Sequence, residues 1–155
     1  MGPNGEDPRP LMDLERRYVF RGPKWSPDGL RIVYLKNTFG SSDGVIEARA
    51  VSNGATTVLV AGMGLLDFWW TVDGRLIYSQ AAASHEATYD LWELHIDSKT
   101  LQRAGEPHRL TRWIGYSPGF VSISADGKRI VTSKGYTQSD VYVAELEPNR
   151  RKLKP

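Results

Sequence analysis

The chain has 155 residues, with 20 Lys and Arg against 18 Asp and Glu, no cysteine, and 10% aromatic residues beside 15 Gly and 9 Pro. One domain of this length can bury a real core, and the absence of cysteine excludes disulfides and thiolate chemistry. The aromatic, Gly and Pro content suits strands and turns, and no long window keeps a 3.6-residue apolar period, so helix is expected to be minor, at most a turn around Met12 to Arg17.

Met1 to Glu6 carries neither a basic segment nor an apolar stretch and does not read as a secretory leader. Gly5-Glu6-Asp7-Pro8-Arg9-Pro10-Leu11 repeats the pattern of Gly105-Glu106-Pro107-His108-Arg109-Leu110, a strand that closes a unit further along. Trp25-Ser26-Pro27-Asp28-Gly29 then leads into the strand Arg31-Ile32-Val33-Tyr34. Pro27 presets the first corner of a type I turn, Asp28 tolerates the second, and Gly29 can take the left-handed conformation that closes a three-residue hairpin. The Ser26 hydroxyl is placed to bond a turn amide. Asp43 opens the next strand at Val45-Ile46, and Thr57-Val58-Leu59-Val60 closes the unit. The longest apolar run, Val58 to Leu66, is broken by Gly62 and Gly64 and falls far short of the ~20 residues of a membrane helix.

The same order returns twice. Trp70-Thr71-Val72-Asp73-Gly74 precedes Leu76-Ile77-Tyr78, one residue shorter and so expected to form a two-residue hairpin, with Asp90 before Leu91-Trp92 and His108-Arg109-Leu110-Thr111 as closing strand. Ile123-Ser124-Ala125-Asp126-Gly127 precedes Arg129-Ile130-Val131-Thr132, with Asp140 before Val141-Tyr142-Val143. The turns recur at intervals of 45 and 53 residues, a period that fits four-stranded propeller blades. The expected fold is all-β: three four-stranded antiparallel blades at 17–61, 65–111 and 116–155, the last incomplete, with 5–11 as the closing strand of a preceding blade. Rings close with about four to eight blades, so a partial, open β-propeller is expected, and two chains could together offer six. Aromatics such as Trp25 or Trp70 on an end blade would then lie partly open to water.

The Ser-Pro-Asp-Gly turn, the Asp-apolar-Tyr strand and the Pro-Arg-x-Leu-Thr ending resemble the WD-like repeats of TolB-type β-propellers. Asp90 to Leu94, Gly105 to Thr111 and Ser139 to Leu146 look most like the propeller part of bacterial serine/threonine kinase-linked sensor proteins. The resemblance implies a non-catalytic binding or sensing module of a larger bacterial-type protein, with a protein or peptide partner, in a family whose members are often periplasmic or extracytoplasmic. A gating-propeller fragment of a prolyl-oligopeptidase-type serine peptidase is the alternative.

Gly40-Ser41-Ser42-Asp43-Gly44 matches the nucleophile-elbow pattern G-x-S-x-G, but the elbow needs strand, turn and helix, and this stretch aligns with loops between strands. His85, His95 and His108 lack metal-ligand spacing. No catalytic residue, metal or cofactor is therefore expected. Arg150, Arg151, Lys152 and Lys154 cluster at the end, and without them 16 basic residues face 18 acidic ones, so no nucleic-acid partner is expected. In Phe68-Trp69-Trp70, alternation puts Phe68 and Trp70 on one face, and alignment of Trp70 with Trp25 and Ile123 assigns it to the core between blades. Ligands would meet the end of the propeller built from the second-to-third-strand loops, with Asn37, Phe39, His85, Glu86, Tyr136 and Gln138, and from the blade-to-blade connections, with Met63, Trp113 and Tyr116.

Overall fold

Each Asp-Gly turn folds one strand back on the next, and repeating that step builds sheets by simple up-and-down addition. The structure, a computed structural model, describes residues 6, 8, 10–12, 15–82, 89–113 and 117–135. The first sheet is β1 (Tyr18–Trp25), β2 (Arg31–Thr38), β3 (Asp43–Ala50) and β4 (Thr56–Met63), in that order and antiparallel throughout. The second repeats it with β5 (Leu65–Trp70), β6 (Arg75–Ala81), β7 (Tyr89–Ile96) and β8 (Arg103–Arg109). β9 (Ser117–Ile123) pairs with β10 (Ile130–Gly135) and begins a third. The fold is thus an open, partial β-propeller, with no helix among the described residues.

Alternation along the strands decides what each sheet buries. Val33, Leu35, Ile46, Ala48 and Val60 of the first sheet meet Phe68, Trp70, Leu76, Tyr78, Leu94 and Ile96 of the second in one core. The opposite face of the second sheet presents Ile77 and Leu91 to Val121 and Ile123, with Trp69 and Trp113 packed against them. The middle sheet is covered on both faces, which is why Leu76-Ile77-Tyr78 reads as an unbroken apolar run. At the positions just before the three turns, Trp70 is 7% and Ile123 8% exposed, whereas Trp25 is 62% exposed. Trp25 is therefore not part of an interblade core: its counterparts point at the preceding sheet, and no sheet precedes the first among the described residues.

The turns carry the expected bonds and correct the expected lengths. Gly29 N donates to Ser26 O at 2.9 Å, Arg31 N donates to the Ser26 hydroxyl at 3.0 Å, and Gly29 has φ of +69°. The closing pair is Ser26 with Arg31, so four residues lie between them rather than three, and Ser124 with Arg129 repeats this. In the shortened copy Thr71 pairs with Arg75, leaving three residues rather than two. The hydroxyl residue extends the ladder by one pair less than simple hairpin counting assumes. The second closing strand also lies earlier than expected, ending at Arg109, with Leu110 and Thr111 already in the connection to β9. Of the stretch read as a leading strand, residues 6, 8, 10 and 11 are described, and none is in a strand. Around Met12 to Arg17 the described residues hold one turn, in which Tyr18 N bonds Glu15 O at 3.0 Å.

Candidate binding face

The end of the propeller away from the Asp-Gly turns is held by backbone stitches at Gly64. Its amide bonds Ser42 O at 2.7 Å and its carbonyl accepts from Ala81 N at 3.1 Å, tying the β2–β3 loop to the start of β5 and the end of β6. Gly64 has φ of +63°, and a Cβ there would stand 2.4 Å from Ala81 Cβ, so glycine is required both by conformation and by space. Beside this seam lies a cleft of about 330 Å³ lined by Arg21, Asn37, Phe39, Ser41, Ser42 and Tyr89, among others. Phe39 is 78% exposed. The side-chain amide oxygen of Asn37, Oδ1, is buried without a hydrogen-bond donor. The cleft therefore offers an aromatic face, a guanidinium and hydroxyls.

Five of the nine residues expected to form this face, His85, Glu86, Tyr116, Tyr136 and Gln138, lie outside the described residues. Asn37 and Phe39 come together in the cleft. Met63 is exposed at the end of β4 and lines a different hollow of about 410 Å³, with Tyr18, Lys36 and Glu47. Trp113 packs on the core between the second and third sheets. Sequence reasoning missed Arg21; the available signal was a lone cation inside the otherwise apolar start of an inner strand, Tyr18-Val19-Phe20-Arg21.

Asp90 explains where Trp113 sits. Fully buried, its carboxylate accepts from the Arg109 guanidinium, the Thr111 hydroxyl at 3.1 Å and Trp113 N at 3.0 Å. Thr111 Oγ1 in turn accepts from Leu91 N at 2.9 Å. The strand-opening aspartate and the Arg-x-Thr ending are thus two halves of one knot that fixes the blade-to-blade connection. A buried charge is tolerated only with such partners.

Two other polar links hold the blades in register. Asp67, at the β5 bulge, accepts from Lys24 Nζ at 3.0 Å on one side and from Val121 N at 2.8 Å on the other, linking all three inner strands. The turn arginines reach forward: Arg31 bonds Ser98 O at 2.9 Å and Lys99 O at 3.2 Å, and Arg75 bonds Gly127 O at 2.5 Å. Each is aimed by its own turn acid, Asp28 or Asp73. The Thr71 hydroxyl, then Arg75, lowers the Asp73 pKa despite some burial. At Asp28 burial works against the charge, but Ser26, the Leu30 amide and Arg31 outweigh it and the pKa is again lowered.

The G-x-S-x-G stretch is the β2–β3 loop. Ser41 N bonds Thr38 O at 3.1 Å, the Ser41 hydroxyl donates to Asp43 at 3.0 Å, and antiparallel strands stand on both sides. Among the described residues no group of three His, Asp or Glu side chains could hold a metal ion. No described helix is long and apolar enough to cross a membrane.

The sequence matches no family model. Nor does any curated protein match it. Among solved structures, TolB from Acinetobacter baumannii is similar to this chain with a TM-score of 0.61 and 22% identity, over 83% of this chain and 29% of TolB. An oligogalacturonate lyase solved in complex with manganese is similar with a TM-score of 0.56 and 18% identity, over 83% of this chain and 35% of the lyase. The chain thus spans about a third or less of the length of these two proteins.

Proposed function

We propose that this TolB-like propeller segment is a non-catalytic binding or sensing module of a larger bacterial-type protein, of the kind linked to serine/threonine kinases, and that it takes a protein or peptide segment at the loop-end cleft. The observation that supports this reading is the cleft itself: exposed Phe39 stands with Arg21, Asn37 and the Ser41 and Ser42 hydroxyls on a scaffold stitched at Gly64. An apolar anchor beside a few fixed polar groups suits an extended peptide, which supplies side chains for the first and backbone amides for the second.

Peptides selected from a random display library against the chain are expected to lose about tenfold or more in affinity when Phe39 or Arg21 is replaced by Ala, the size of one lost hot-spot contact. Val72→Ala, at the opposite end, should leave them unchanged. Peptides that bind equally well to all three variants would overturn the site. Selective labelling of Ser42 by a serine-directed covalent probe, with ester turnover lost in Ser42→Ala, would overturn the non-catalytic reading.

A further inference from the structure

We propose that the segment held at the loop-end cleft is acidic: an internal aspartate or glutamate pairs its carboxylate with the Arg21 guanidinium, and a neighbouring apolar side chain lies against Phe39. The inference rests on the reading that this cleft takes a protein or peptide segment, and adds the chemistry that the segment carries.

Among the lysines and arginines of β1 to β8, Arg21 is the exception. Lys24 bonds Asp67, Arg31 and Arg75 bond Asp28 and Asp73, Lys36 bonds Glu47, and Arg109 bonds Asp90. Arg103 donates to Leu59 O at 3.0 Å, and Arg49 interacts with the Tyr34 hydroxyl. Arg21 is exposed and has no hydrogen-bond or ion-pair partner among the described residues. No carboxylate shares the cleft lining with it. The acids that follow lining residues in the chain are held elsewhere: Asp43 by the Ser41 hydroxyl, Asp67 by Lys24 and Val121 N, and Asp90 by Arg109, Thr111 and Trp113 N. A fixed cation thus stands in the cleft with no anion.

The lining narrows the choice of anion. A guanidinium is a planar fork that matches a carboxylate, whereas phosphorylated peptides are taken by clusters of arginines. With no second cation in the lining, Arg21 fits a single carboxylate. The Ser42 and Tyr89 hydroxyls, also without partners among the described residues, stand in the same lining as further donors. A chain-terminal carboxylate would call for a nest of free backbone N–H groups. Those of Phe39, Ser41 and Gly64 are already bonded to Arg17 O, Thr38 O and Ser42 O, so the carboxylate belongs to a side chain. Phe39, 78% exposed in the same cleft, gives the residue beside it an apolar contact.

The test uses the full chain and random peptides displayed between fixed linkers, which offer no free carboxyl terminus. Selected peptides should be enriched in aspartate or glutamate next to an aromatic or aliphatic residue. The tightest is then made with an amidated end, and its acid is changed to the matching amide. That change should weaken binding about tenfold or more on the unaltered chain, as loss of a charged hydrogen bond implies, and less than about twofold on Arg21→Gln. Arg21→Glu should select peptides with lysine or arginine instead. Both variants alter an exposed side chain and should melt like the unaltered chain. Peptides that depend on Phe39 but lack an acid, an acid insensitive to Arg21, or binders found only in a library with free carboxyl termini would overturn this inference and leave the peptide site standing. Peptides that ignore both Phe39 and Arg21, or no binders from either library, would overturn the site as well.

Discussion

Asp43 and Asp90 open the third strand of consecutive sheets, and they do different work. Asp90 is fully buried under Arg109, Thr111 and Trp113, whereas Asp43 is exposed and bonds the Ser41 hydroxyl of its own loop. The difference lies in the closing strand: Arg109-Leu110-Thr111 supplies donors to the second blade, and the first offers Ala61-Gly62-Met63 in that place. Trp25 and Trp70 form a second such pair, alike in sequence and opposite in burial. A repeat position has no fixed role. Its partners on the neighbouring strand and sheet assign one.

The largest expected contrast is between the tryptophans. Trp70→Ala removes a side chain from the core between the first two sheets and should cost about 3–5 kcal/mol. Trp25→Ala, which removes a side chain 62% exposed, should cost less than about 1 kcal/mol. Urea unfolding compares them, and equal costs would mean that Trp25 is covered.

Next comes the pair of aspartates. Asp90→Ala takes the buried acceptor away from Arg109, the Thr111 hydroxyl and Trp113 N and should cost about 3 kcal/mol, at the low end for a broken buried pair because Arg109 is part-exposed. Asp43→Ala should stay within about 0.5 kcal/mol. Thermal melts of the two variants would show the difference directly.

The glycines of the turns give a smaller contrast. Gly29 and Gly127 both have φ of +69°, so either change to Ala meets the left-handed penalty of about 1 kcal/mol. A Cβ at Gly29 meets nothing within 4 Å, whereas one at Gly127 comes 3.0 Å from the Arg75 guanidinium. Gly127→Ala should therefore melt lower than Gly29→Ala. Asp126→Ala combined with Gly127→Val should melt far lower than Ser42→Ala.

The smallest effects are those of pH. Thr71 and Ser124 hydroxyls lead the groups that hold the Asp73 and Asp126 carboxyls below their usual value, and Asp28 is lowered too. Groups with depressed folded pKa add stability above the unfolded value and lose it as pH falls through the folded one, so stability should decline below about pH 4, less steeply in Asp73→Asn. At the alkaline end, burial and then Glu47 push Tyr34 up to about 12, while burial alone raises its counterpart Tyr78 against the pull of Arg103. A raised pKa adds stability that is complete below about pH 10 and is lost as pH climbs through the folded value. Tyr34→Phe should flatten that loss in an unfolding series from pH 9 to 12.

How much of this was legible follows from the range of each interaction. The Asp-Gly turns were readable because their bonds run between residues a few positions apart, as in Ser26 with Arg31. Exact hairpin lengths were not, since the closing pair depends on how far the ladder continues. At the candidate site Asn37 and Phe39 could be placed from loop position, but Met63 and Trp113 face elsewhere and Arg21 went unseen.

Sequence by itself determined an all-β repeat, its blade period and the turn chemistry, because a two-residue strand alternation and a left-handed glycine are properties of local backbone. Tertiary structure alone decided which tryptophan is buried, that Asp90 and Arg109 form one knot, that Asp67 joins three inner strands, and that the turn arginines Arg31 and Arg75 reach into the next blade. Those contacts join residues 19 to 68 positions apart, and their strength depends on burial, which no local pattern encodes.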